Sequence, residues 1–166
     1  MNIPPSLVTG LKRAPGLKLS LFSCHYAPGN YLPPIATRNL LPGAHHPLAP
    51  KIRDLYKDRE RETLWWSVTI YMLPSSTKRA VRSWAARRVR QAFRQALWER
   101  GFDEAGKKLV LDGAGNVVDR RKCLEGTMEL RILQKLILAK YTSVMYEARR
   151  TVGFLEKAAR AQGRRT

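Results

Sequence analysis

Acidic residues are scarce in this sequence, and the first 53 residues contain none. The whole chain has 13 Asp and Glu against 31 Lys and Arg, which gives a formal charge of +18. An excess of one sign destabilises a compact chain by self-repulsion unless a partner of opposite charge is bound. The composition therefore predicts a polyanionic partner, and RNA, an acidic protein and an anionic membrane surface all qualify.

Two further absences narrow the class of protein. No run of the sequence approaches the roughly 18 apolar residues of a membrane-spanning helix, so we expect a soluble or peripheral protein. Two cysteines, Cys24 and Cys123, lie far apart and give no disulfide framework, which is compatible with a reducing compartment. The hydrophobic content of 44% is ordinary for a globular chain, and the length suits one domain.

Motifs of catalysis and metal binding are also missing. The pairs Cys24-His25 and His45-His46 match no zinc spacing, and they contain all the histidines of the chain. The segment 113–115 is glycine-rich, but it lacks the third glycine and the lysine of a phosphate-binding loop. We therefore predict no catalytic residues, no metal site and no enzymatic activity.

The N-terminal region has a composition of its own. Nine of the ten prolines lie within the first 50 residues, and their spacing excludes long helices. Basic and hydroxyl residues without acids are typical of a mitochondrial transit segment, although a basic arm of a ribosomal protein has the same composition. We predict an extended leader over residues 1–48, a location in the mitochondrial matrix, and a basic tail over residues 163–166.

Hydrophobic periodicity predicts helices in the domain between these ends, residues 49–162. Apolar residues recur at steps of three and four over three segments: Pro50–Leu73, Thr77–Arg100 and Thr127–Ala161. Between the second and third segments, Lys107–Val118 has short strand-like runs around a glycine-rich turn. The predicted fold is mainly α, a three-helix bundle with a small β-hairpin insertion and an extended N-terminal leader.

The second predicted helix has one basic face. At 100° per residue, four arginines project from the side opposite the apolar arc: Arg79, Arg87, Arg90 and Arg94. A solvated helix usually alternates charges, and this helix does not, so the face predicts polyanion binding, with Lys78 and Arg82 at its start. Arg88 falls inside the apolar arc beside Trp84, where a guanidinium must extend to water, pair or meet a ligand.

Tryptophans offer a second route to nucleic acid, because indole rings stack on bases. Trp65, Trp66 and Trp84 fall on or near the apolar faces of the predicted helices. We therefore expect them in the core and not at a nucleic-acid surface.

Two short segments resemble a known family. Leu55-Tyr56-Lys57 resembles the LYR tripeptide, with lysine in place of arginine, and residues 87–94 resemble the family's second-helix signature of basic residues leading to a phenylalanine. A third predicted helix follows, as in the family. Residues 50–150 thus resemble the LYR-motif (complex 1 LYR-like) mitochondrial adaptors, although residues 65–75 lengthen the usual spacing between the two motifs.

The resemblance implies a non-enzymatic adaptor that binds acyl carrier protein and a client complex. Tyr56 and Lys57 would contact the carrier, and Phe93 would line a tunnel for its acyl chain. The basic residues would meet its acidic surface and phosphopantetheine phosphate. The partner-binding set is Leu55, Tyr56, Lys57, Arg87, Arg88, Arg90, Phe93 and Arg94. The only cofactor implied is the acyl-phosphopantetheine of the bound carrier.

An alternative function follows from the same basic face. In a mitochondrial ribosomal or other RNA-associated protein, the arginines would neutralise phosphates instead of carboxylates. The polyanion-binding residues would then include Lys78, Arg79 and Arg82. The two hypotheses differ in architecture, because an adaptor needs a cavity among its helices and an RNA-bound protein does not.

Overall fold

The fold combines four helices with one mixed sheet. The computed structural model describes residues 10–40, 46–71, 73–109 and 123–162. The elements in chain order are β1 (Lys12–Arg13), β2 (Phe22–Ala27), α1 (Pro34–Leu40), α2 (Ala49–Lys57), β3 (Leu64–Ile70), α3 (Arg79–Glu99), β4 (Gly126–Ile132), a 3-10 helix (Gln134–Leu138) and α4 (Tyr141–Gln162). The predicted fold class is therefore wrong: the chain is an α+β protein and not a mainly α three-helix bundle.

The sheet has the strand order β1-β2-β4-β3. β2 runs antiparallel to β4, from Phe22 opposite Ile132 to Ala27 opposite Thr127. β3 runs parallel to β4 over its whole length. A parallel pair needs a crossover connection, and α3 lies in that connection. β3 is the edge strand next to β4, and the chain continues from it into α3.

The first predicted helix is correct only at its beginning. α2 starts at Ala49 but ends at Lys57, and the run from Leu64 to Ile70 is a strand. The strand is aromatic and β-branched, and Leu64 and Trp65 on its opposite faces are both buried. Burial on both faces removes the alternation that identifies a strand in a sequence, as in other parallel strands.

The third predicted helix is wrong over its first part. Residues 126–132 form β4, an interior strand of the sheet, and the 3-10 helix follows it before α4 begins at Tyr141. Met128, Leu130 and Ile132 alternate as a strand and are fully buried beneath the helices. Because Leu133 and Ile137 continue at helical steps, the apolar pattern is compatible with both structures.

The predicted leader is in part a strand of the sheet. Phe22 and Cys24 of β2 are buried in the core, and all six residues of the strand pair with β4. Gly126 makes this pairing possible at the start of β4. Its φ is +108°, and a Cβ there would lie 2.4 Å from the carbonyl oxygen of Ala27.

The second predicted helix is confirmed within two residues at each end. α3 spans 21 residues, and its buried residues are Ala85, Ala86, Val89, Ala92, Phe93, Ala96 and Leu97. Four of these are alanines, whose small side chains let the helix lie close to the sheet. Gly101 follows the helix with φ +75°, the left-handed conformation that commonly ends helices.

α3 and α4 cover one face of the sheet and enclose the core with it. A buried carboxylate ties α4 to the segment before β2. Glu147 accepts hydrogen bonds from the backbone N–H and hydroxyl of Ser20 and from the backbone N–H of Leu21. α1 and α2 contact each other and are not part of the α3–α4 layer. Tyr56 of α2 contacts Trp65 of β3, with 5.4 Å between the ring centroids.

Some predicted segments lie outside the described residues. Most of the predicted hairpin falls within residues 110–122, and the predicted basic tail is residues 163–166. Lys108, at the start of the hairpin segment, forms an isolated β-bridge with Phe102. Among the helices that the structure describes, none is long and apolar enough to cross a membrane.

Candidate nucleic-acid interface

α3 presents its predicted basic face to solvent. Arg87 and Arg94 are exposed on the side opposite the buried arc, and Arg79 lies in the first turn, also exposed. Arg90 is half-buried, because it turns towards the edge of the sheet. The structure thus places the four predicted arginines along one side of one helix.

Two other basic residues of the predicted set have structural roles. Arg82 donates to the carbonyl oxygens of Pro74, Ser75 and Thr77 and closes the turn before α3. Arg88 donates to the carbonyl oxygen of Ala139 at 2.9 Å, and its guanidinium lies 4.5 Å from the ring centroid of Trp84. Arg88 therefore pairs within the protein, one of the outcomes expected for a guanidinium in an apolar arc.

The ion pairs of α3 leave much of its charge uncompensated. Arg94 donates twice to one carboxylate oxygen of Glu104, at 2.9 and 2.7 Å, with both side chains more than half exposed. An exposed pair of this kind contributes little stability. Within the part of the chain that the structure describes, Arg79, Arg87 and Arg90 have no acidic partner.

Two open clefts adjoin this face and share Arg94 and Glu104 as a common wall. The first, of about 420 Å³, lies at the edge of β3 and is also lined by Arg59, Trp66 and Arg90. The second, of about 760 Å³, lies along the outer face of α3 and is also lined by Arg87 and Trp98. We call the two clefts together the arginine groove; its defining residues are Arg59, Trp66, Arg87, Arg90, Arg94 and Trp98.

The acidic residues in the groove are engaged locally. Asp103 accepts hydrogen bonds from the backbone N–H groups of Ala105 and Lys107 through one carboxylate oxygen. Glu104 is held by Arg94, and its carbonyl oxygen accepts from the indole N–H of Trp66 at 2.9 Å. Four arginines against two acids leave the groove positively charged.

The sequence prediction missed three of the groove residues. Arg59 follows α2, and its guanidinium lies 5.2 Å from the ring centroid of Trp65. Trp66 was expected in the core, and it does pack edge-on against Phe93 at 4.8 Å, but it also borders the first cleft. Trp98 is 70% exposed, and its position in a strongly basic helix was the available signal.

The residues of the LYR-like tripeptide lie on α2, apart from α3. Leu55 and Lys57 are exposed, and Tyr56 is half-buried against Trp65. Burial raises the pKa of the Tyr56 hydroxyl, an effect that the nearby Arg59 opposes. Tyr56 therefore lies beside the groove, because Arg59 lines the first cleft and its guanidinium is 5.8 Å from the ring centroid of Tyr56.

Phe93, the predicted tunnel residue, is fully buried between α3 and the sheet. It contacts Trp66, and neither cleft of the arginine groove includes it. Lys78, from the polyanion-binding set, is exposed at the N-cap of α3 beside Arg79.

A second polar cluster lies on the sheet face that points away from α3 and α4. Glu129 is 4% exposed, and it accepts hydrogen bonds from the hydroxyl of Thr69 and from Nε of Arg131. His25 and Ser67 are its cross-strand neighbours on β2 and β3. The His25 Nδ1 and Ser67 Oγ atoms are buried and have no hydrogen-bond partner among the described residues.

The two cysteines are poor candidates for metal ligands, because burial raises the pKa of both thiols. Burial raises the pKa of the Cys24 thiol to about 12, so the thiolate that a metal requires is strongly disfavoured. No group of three His, Cys, Asp or Glu side chains suited to a metal ion occurs within residues 10–40, 46–71, 73–109 and 123–162.

Comparison with known proteins gave no relative of this chain. No protein-family model matches it, and neither does any curated protein or any solved structure.

Proposed function

We propose that the protein binds RNA through the arginine groove and acts as a non-enzymatic RNA-associated component. The observation that carries the proposal is that Arg79, Arg87 and Arg90 of α3 have no acidic partner among the described residues and lie next to clefts lined by further arginines and two tryptophans. Arginine forms planar, bidentate hydrogen bonds with phosphate oxygens and stacks on bases. Few groups in the groove would oppose a polyanion.

The charge of the whole chain supports RNA over a small anion. A single phosphate would use one or two cations, whereas a chain with a formal charge of +18 can engage phosphates along an extended backbone. Each phosphate contact releases condensed counterions, so affinity accumulates with the number of contacts. Tryptophans between the arginines add stacking surfaces that every base can use.

The adaptor function remains a hypothesis beside this one. An acidic acyl carrier protein would meet the same arginines, and Tyr56 lies near Arg59 at one end of the groove. RNA binding is preferred because Phe93 fills a packed core position and does not line a cleft. Residence in the mitochondrial matrix also remains a proposal, to be tested by imaging the full chain with a C-terminal fluorescent tag.

The test compares the wild type with two triple variants by fluorescence anisotropy on a labelled RNA. Arg87→Gln, Arg90→Gln and Arg94→Gln together remove three charges from the groove. Lys135→Gln, Lys157→Gln and Arg160→Gln together remove the same charge from exposed positions outside it. The groove variant should bind RNA about 100-fold more weakly at 0.1 M salt, and the control variant should bind nearly as the wild type does.

Two outcomes would contradict the proposal. Equal losses in both triple variants would mean that only net charge matters and that the groove is not a site. Tight, stoichiometric binding of acylated carrier protein with no affinity for RNA would favour the adaptor function instead. Circular dichroism of both variants checks that the fold is retained, as expected for substitutions of partly or fully exposed side chains.

A further inference from the structure

The four tryptophans differ in what surrounds them. Trp65 is buried and donates to the carbonyl oxygen of Glu60, and Trp66 packs on Phe93 and donates to the carbonyl oxygen of Glu104. Trp84 is 41% exposed, but the guanidinium of Arg88 stacks on its ring. Each of these three rings thus has a role in holding the fold together.

Trp98 has no such role. Its side chain is 70% exposed, and among the described residues no ring or cation stacks on it and no acceptor meets its indole N–H. A large aromatic side chain contributes most when its faces are covered. Trp98 therefore offers an uncovered ring within a positively charged cleft.

The neighbours of Trp98 suit an unpaired base. Gln91 and Gln95 line the same cleft and precede Trp98 by seven and three positions, so they lie on its side of α3. Gln95 is engaged with Glu99 and Tyr141, whereas the Gln91 amide has no partner among the described residues. A ring that stacks and an amide that reaches a base edge are the groups by which proteins hold splayed bases.

The length of the basic strip does not suit a duplex. From Arg79 to Arg94 the helix rises about 22 Å at 1.5 Å per residue. The common double-stranded-RNA-binding domain, by comparison, spans about 16 base pairs and contacts two successive minor grooves. A single strand can instead place phosphates on the arginines and turn its bases onto the aromatic rings.

We propose that the arginine groove binds single-stranded RNA, with the indole of Trp98 as the surface on which an unpaired base stacks. This inference rests on the proposed function and specifies the form of RNA that the site accepts. Arg94 and Arg87, about one and about three helical turns before Trp98, hold the flanking phosphates. The Gln91 amide contacts the edge of the stacked base.

The experiment measures binding of an RNA of about 16 nucleotides, as a single strand and as its duplex, to the full chain. Trp98→Leu removes the exposed ring, and Trp84→Leu is the matched control on the same helix outside the groove. The single strand should bind more tightly than the duplex. Trp98→Leu should weaken single-strand binding by about 5- to 150-fold and leave duplex binding unchanged, while Trp84→Leu should change neither.

The failures of this inference and of the proposed function are distinguishable. This inference alone is overturned if the groove arginines bind RNA but Trp98→Leu binds the single strand as tightly as the wild type does. It is also overturned if the wild type binds the duplex as tightly as the single strand. If neither form of RNA binds, or if the groove variant with three glutamines binds as the wild type does, the proposed function fails as well.

Discussion

At the scale of single residues, His25 gives the protein a pH-dependent stability. Burial is the main cause that lowers the pKa of its imidazole; Arg131 and Arg13 lower it further, and Glu129 opposes them. The unfolded chain regains the ordinary pKa near 6.5 and binds the proton more readily than the folded state does. The stability contributed by the neutral His25 is therefore fully present above the unfolded-state pKa near 6.5, and it is lost as the pH falls below that pKa.

The His25→Gln variant tests this linkage. The unfolding free energy of the wild type, from denaturant titrations between about pH 7.5 and pH 5.5, should fall through the histidine range. The substitution should remove part of that fall, whereas His46→Gln, at an exposed position, should preserve it. A pH profile that is the same in His25→Gln and in the wild type would exclude His25 as its source.

At the scale of elements, Phe93 joins α3 to the sheet. Its side chain is fully buried and contacts Trp66 of β3. Phe93→Ala should lower the unfolding free energy by about 3–5 kcal/mol, since it leaves a cavity in a packed core. Leu138→Ala is the control, because Leu138 is 92% exposed and its truncation should change stability by less than about 0.5 kcal/mol.

A small stability loss in Phe93→Ala would mean that the site is loosely packed. Such a result would favour the adaptor hypothesis, in which Phe93 lines a tunnel for an acyl chain. Thermal unfolding of both variants, followed by circular dichroism, distinguishes the two cases.

Periodicity predicted the elements that bury one face and misassigned those that bury two. α3 has a single buried arc, and its limits were predicted within two residues. β3 is covered on one face by the helices and on the other by the region of Tyr56, so its sequence does not alternate. β2 was missed because the prolines around it suggested an extended leader, although prolines at the ends of a short strand leave its interior hydrogen bonds intact.

The arginine groove was only partly predictable for the same reason. The sequence predicts Arg87, Arg90 and Arg94 because spacings of three and four residues place them on one face of a helix. Arg59 and Trp66 join them only when β3 forms the edge of the sheet beside α3, which a helix prediction for residues 50–73 could not reveal.

At the scale of the whole molecule, β2 restricts how the N-terminal region can be processed. Removal of residues 1–48 would delete β1 and β2 and expose the core that Phe22 and Cys24 complete. A chain that lacks residues 1–48 should therefore fail to fold, as judged by circular dichroism and by loss of a cooperative unfolding transition. If the region is a transit segment, the intact mass of the mature protein should place its new N-terminus before Lys12.

A stable, cooperatively folding fragment without residues 1–48 would contradict this view of the sheet. It would mean that β4 can form without its antiparallel neighbour and that the predicted leader is separable from the domain.

The most direct test of RNA binding by the arginine groove is the salt dependence of affinity. The logarithm of the binding constant for single-stranded RNA should fall linearly with the logarithm of salt concentration, by about 0.7 per phosphate contact. Replacement of Arg87, Arg90 and Arg94 by glutamine should reduce this slope by about 2, since three contacts are lost. A slope that the replacement leaves unchanged would show that the RNA contacts lie elsewhere on the protein and would contradict the account.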